Sequence, residues 1–186
     1  MTKINYLENI SKTKKSFIIY KSLKGFDLYT DFSKKIILTN RNIKNFINKT
    51  NKNRKSIKDT DLFLGFFGYE ILNNLIGIKI KKQKKFKFPK GIFYKPETKI
   101  KLSNNLSYKP ATSTKTKKIF NVNLSKTSYK NIFNKFKKKI RSGETYQIKI
   151  CTKYKNNSKI DALDFFCRLT KTNMAPEAFI IKDKDY

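Results

Sequence analysis

A chain of 186 residues with 38% hydrophobic and 14% aromatic side chains has enough apolar material for one good core or two small ones. Its net charge of +31 predicts weak, salt-sensitive binding to polyanions, but lysines spread from Lys3 to Lys184 and only four arginines, Arg41, Arg54, Arg141 and Arg168, argue against a dedicated reader of bases or phosphates. The absence of histidine excludes Ser-His and Cys-His nucleophile pairs and histidine metal sites.

Ser16 to Tyr20 is a short apolar run rich in strand formers, and Phe26 to Thr30 and Lys35 to Thr39 alternate enough to continue as strands of an antiparallel meander. Ile43, Phe46 and Ile47 fall at helical spacing after Asn40 or Asn42 as a cap, which predicts a short helix over 41–49 and a polar loop from Lys49 to Lys58. Asp61 to Glu70 is almost wholly apolar and reads as a buried strand and its exit. Gly65 and Gly68 there let another backbone or a tight bend approach. A helical Ile71 to Leu75 follows, and the basic run Lys79 to Lys87 reads as a solvated surface loop. Gly91 to Tyr94 and Lys99 to Leu102 predict a hairpin turning at Lys95-Pro96-Glu97-Thr98.

Residues 103–118 are rich in Ser, Thr, Asn and Lys and are the best candidate linker, dividing the chain into 1–118 and 119–186. Beyond it Tyr129, Ile132, Phe133, Phe136 and Ile140 recur at steps of three or four, with Ser125 or Ser128 to cap the start and Gly143 to take the left-handed turn after the end. Thr145 to Tyr154 alternates as a strand that sends Tyr146, Ile148 and Ile150 to one face. Ser158 and Asp161 have capping-box spacing before a helix over about 160–171, which Asn173 and Pro176 stop. Ala178 to Ile181 is a final strand, expected to complete the first domain rather than follow it. The fold class expected is α+β: antiparallel sheets packed around a shared core with flanking helices.

Cys151 and Cys167 have neither metal-ligand spacing nor a histidine, so both read as buried reduced thiols. No secretory signal is visible and no apolar run approaches the roughly 20 residues of a membrane span, so a cytoplasmic protein without a membrane partner is expected. The acidic residues show no paired spacing, and Gly65-Phe66-Phe67-Gly68 lacks the Lys-Ser/Thr ending of a phosphate loop. The abundance of Lys, Asn, Ile, Phe and Tyr with no Trp is the pattern of A/T-rich codon supply, so a basic nucleic-acid-binding or scaffold protein is the rival class and no specific nucleic acid is expected as partner.

Gly143-Glu144-Thr145-Tyr146-Gln147-Ile148, with Tyr129 before it and Asn173-Met174-Ala175-Pro176 after it, resembles the entry to the catalytic domain of the chorismate-amination enzymes, the component I subunits of aminodeoxychorismate synthase and anthranilate synthase. Phe66-Phe67-Gly68-Tyr69-Glu70 is similar to a strand end of their N-terminal domain. The resemblance implies an N-terminal component I domain over 1–118 and the start of a chorismate-binding domain over 119–186, with the Tyr146 strand antiparallel beside the Phe63 to Tyr69 strand. It also implies chorismate as substrate, Mg2+ as cofactor and a glutamine amidotransferase subunit as partner. The magnesium and acid/base groups of such enzymes are expected downstream of Tyr186, so this chain is read as truncated and inactive alone, with no catalytic or metal-binding residue of its own.

The same resemblance implies a vestigial amino-acid pocket at Lys21, Ser22, Pro176, Glu177 and Ala178. In anthranilate synthase the corresponding strand supplies a carboxylate to the ammonium of tryptophan. Lys21 would repel that ammonium, whereas Glu177 offers a replacement carboxylate. This favours aminodeoxychorismate synthase and folate synthesis, with anthranilate synthase and tryptophan synthesis as the alternative. Ser22 and Pro176 read equally as a strand-end polar residue and a helix stop.

Overall fold

Phe17, Ile18 and Ile19 are all buried although they are consecutive, so both faces of their strand are covered. That strand, β1 (Phe17–Ser22), lies inside a five-stranded antiparallel sheet of the computed structural model, which describes residues 3–51, 61–77, 88–102, 104, 106, 108, 120–156 and 160–184. The others are β2 (Gly25–Ile37), β3 (Leu64–Phe67), β4 (Gly91–Lys101) and, from the far end of the chain, β7 (Ala178–Lys182), in the spatial order β3-β4-β2-β1-β7. The α+β class holds, and β7 completes the first sheet as expected, pairing Phe17 with Lys182 through Lys21 with Ala178.

One sheet face packs on two helices. Phe17, Ile19, Phe26 and Leu28 meet Leu7 and Ile10 of α1 (Lys3–Thr13) and Leu163, Phe166 and Cys167 of α5 (Ala162–Thr172). The amphipathic spacing anticipated α5 but not α1, whose buried pair Leu7 and Ile10 is too short a pattern to stand out among polar neighbours. A second cluster joins α2 (Ile43–Asn51) and α3 (Tyr69–Leu75) to Leu38 and Phe93. Ile18, Tyr29, Ile92 and Tyr94 form a third, on the sheet face opposite Ile19 and Leu28.

The hairpin expected at Pro96 does not form, because β4 runs unbroken from Gly91 to Lys101. Pro96 has no N–H to give the ladder, and it sits opposite Phe32 where the β2 register shifts between Phe32 and Lys34. Asp31 adopts φ +53° beside this irregularity, and Lys14 pairs with its carboxylate at 2.5 Å. The shift changes the alternation, so Tyr29 and Phe32, odd and even positions of one strand, pack in the same cluster. Accordingly β2 pairs with β1 and β4, and the two alternating segments at 26–30 and 35–39 are one long strand rather than two of a meander.

The chain divides into two compact units, one of residues 1–110 with 162–186 and one of residues 111–161. The first divide lies inside the expected linker at 103–118, but Leu106 within that stretch is buried in the α1/α5 core. The loops expected at 49–58 and 79–87 lie largely outside the described residues, as do most of the linker and Ser158 of the expected capping box.

The second unit contains α4 (Lys126–Arg141) and the short pair β5 (Asn121–Val122) and β6 (Tyr154–Lys155). Ser125 caps α4, its hydroxyl accepting from the Ser128 N–H at 3.1 Å, and Gly143 follows with φ +76°. The strand expected over 145–154 forms only at Tyr154–Lys155, Tyr146 is exposed, and β3 has β4 as its only partner among the described residues. Alternation supplies an apolar face, but a strand needs a ladder partner as well. Neither cysteine is disulfide-bonded: Cys167 is buried, whereas Cys151 is exposed, contrary to its expected burial, because its segment joins no sheet.

Candidate functional site

Strand alternation sends Lys21 and Ser22 to opposite sides of β1, so the residues expected to form one pocket divide into two settings. On the side of Ala178, its register partner, Lys21 extends its ammonium to the Ala175 carbonyl and donates to it at 2.7 Å. This tie joins β1 to the turn that follows α5. Pro176 and Glu177 are exposed in that turn, and Ala178 is half-buried at the start of β7.

Glu177 does not face Lys21. It lies on the side of Tyr20, whose pKa is raised first by burial and then by the hydrogen-bonding and negative charge of Glu177. Tyr20 gave no functional signal in the sequence, because its proximity to Glu177 depends on β7 returning beside β1, with Tyr20 opposite Phe179.

Ser22 closes the β1–β2 turn. Its oxygen accepts from the Lys24 N–H at 3.2 Å, and its hydroxyl lies 3.4 Å from the Gly25 carbonyl. It borders a groove of about 380 Å³ lined also by Lys24, Asp27, Lys99 and Lys101. Asp27 pairs with Lys99 at 3.5 Å, and Lys99 lies 5.9 Å from the centre of the buried Tyr29 ring. Spacing along the chain conceals this grouping, since Asp27 meets Lys99 and Lys101 only through the β2–β4 pairing.

The resemblance carried by the Tyr146 and Pro176 segments is tested by comparison with known families. A family profile described as chorismate binding enzyme matches residues 4–186. The chain belongs to the chorismate-binding enzyme family. Comparison with curated proteins gives no significant match. Membership in the chorismate-binding enzyme family makes this a chain of the chorismate-utilising enzymes, and it does not distinguish one amination from another.

The magnesium that the resemblance implies finds no assembled set of ligands among the described residues. No group of three or more His, Cys, Asp or Glu side chains is placed to hold a metal among the described residues. Asp31, Asp61, Glu144 and Asp164 instead pair with Lys14, Lys95, Lys139 and Arg168. Nor is any helix of the described residues long and apolar enough to cross a membrane.

Proposed function

We propose that this chain is part of an aminodeoxychorismate synthase component I, which aminates chorismate with ammonia from a glutamine amidotransferase subunit for para-aminobenzoate and folate synthesis. The observation that carries the proposal is the Lys21 ammonium donating to the Ala175 carbonyl. By resemblance, the same strand position in anthranilate synthase offers a carboxylate to the ammonium of tryptophan. Two ammonium groups about 4 Å apart repel by about 4 kcal/mol in a partly screened site, so a lysine here opposes an amino-acid ligand. Glu177, the replacement carboxylate, is engaged by Tyr20.

In this reading the enzyme uses magnesium and works in the cytoplasm. The complete reading frame, supplied with chorismate, magnesium and an ammonium salt, tests it. Aminodeoxychorismate should accumulate, and added tryptophan should leave the rate unchanged. Formation of anthranilate with release of pyruvate would overturn the proposal in favour of the tryptophan branch.

A further inference from the structure

We propose that the groove at the β1–β2 turn binds a small dianion, a dicarboxylate or a phosphate monoester. Its lining brings three ammonium groups, Lys24, Lys99 and Lys101, to one carboxylate, Asp27. The single acid cannot neutralise them. Asp27 lies opposite Lys101 in the β2–β4 register and forms its ion pair with Lys99. Lys24 and Lys101 form no ion pair with a carboxylate of the described residues, so two positive charges remain for a ligand.

The groove is built by the fold rather than by loose side chains. Lys99 and Lys101 are two apart on a paired strand and therefore share a face, where Asp27 and the ring of Tyr29 hold the Lys99 ammonium. Lys24 is carried by the two-residue turn between the paired Ser22 and Gly25, and the Ser22 oxygen holds its backbone. The Ser22 hydroxyl, with only a long contact to Gly25, adds a donor.

The volume of about 380 Å³ is at the lower end of metabolite sites, which run from roughly 300 to 1,000 Å³. Among the described residues this lining offers an apolar ligand no aromatic or aliphatic side chain. An amino acid would have to place its ammonium on Asp27, which Lys99 already neutralises. Two carboxylates, or one phosphate, match the two remaining charges and gain charge-assisted hydrogen bonds. The inference does not depend on which amination the enzyme performs.

Calorimetric titration of the full chain at constant ionic strength, with sodium malonate, sodium phosphate and glycine as separate probes, tests it. One dianion should bind saturably at one site and glycine should not bind. Stronger malonate binding identifies a dicarboxylate ligand, and stronger phosphate binding a phosphate ester. The pair Lys24→Gln with Lys101→Gln should weaken binding about tenfold, while Lys135→Gln with Lys138→Gln on α4 should leave it unchanged. Asp27→Asn, which removes the competing carboxylate, should tighten it, and this arm decides the matter if the double lysine variant misfolds. Absence of saturable binding, equal weakening by both lysine pairs, or unchanged affinity in Asp27→Asn would each overturn the proposal. None of these outcomes bears on the amination product.

Discussion

Asp183 and Thr30 are the buried polar side chains among the described residues, and four groups converge on Asp183. Burial alone would raise its pKa, but the Lys35 ammonium, the Tyr94 hydroxyl, the Lys184 N–H at 2.6 Å and the Ser16 hydroxyl at 3.1 Å together hold it below the usual carboxylate value. These partners come from β2, β4 and the approach to β1, so one carboxylate at the end of β7 ties four segments of the sheet. A depressed folded-state pKa means that the contribution is fully present above the unfolded carboxylate value and disappears as pH falls through the folded one. Asp183→Asn should therefore cost about 2–3 kcal/mol at neutral pH, the scale of hydrogen bonds to a charged group. In urea denaturation the deficit should shrink as pH falls below about 4; a deficit independent of pH would mean that packing, not charge, holds the site. Its importance was not legible in the sequence, where Asp183 stands in a Lys-Asp-Lys-Asp tail.

Among the elements, β3 and β4 show most directly what apolar composition predicts and what it leaves open. The glycines of the Asp61 to Glu70 segment were expected to admit another backbone, and at Gly65 they do: a Cβ there would stand 1.9 Å from the Ile92 carbonyl oxygen and 2.7 Å from the Phe93 Cα. Gly65→Ala should displace β3 from β4 and loosen the Phe46, Phe67 and Phe93 aromatic packing, costing about 3 kcal/mol or more. Gly143→Ala meets open space and only the left-handed backbone, φ +76°, so it should cost about 1 kcal/mol. Comparing the two denaturation midpoints checks this, and equal losses would remove close approach as the reason for Gly65. Pro96 shows the opposite case. Its turn preference is a local rule, and a register shift in the facing strand overrides it because the missing N–H falls where the ladder is already irregular.

For the whole molecule, the +31 charge acts with little regard to the fold. Duplex DNA should bind through released counterions, losing about 100-fold or more in affinity between 50 and 200 mM salt and showing no preference among sequences. Fluorescence anisotropy with several duplexes measures both properties; base-selective binding that survives high salt would restore the nucleic-acid reading of the lysines.

By itself the sequence determined the α+β class, most helices, most strand-forming runs and the chorismate-binding resemblance, because these rest on local periodicity and on motifs contiguous in the chain. Tertiary structure alone decided that β4 passes straight through Pro96, that residues 146–153 join no sheet, that Lys21 holds Ala175 while Glu177 turns to Tyr20, and that Lys99 and Lys101 gather beside Asp27. The physical reason is strand pairing. A ladder joins residues far apart in sequence, and a shift of one residue exchanges the faces on which side chains meet.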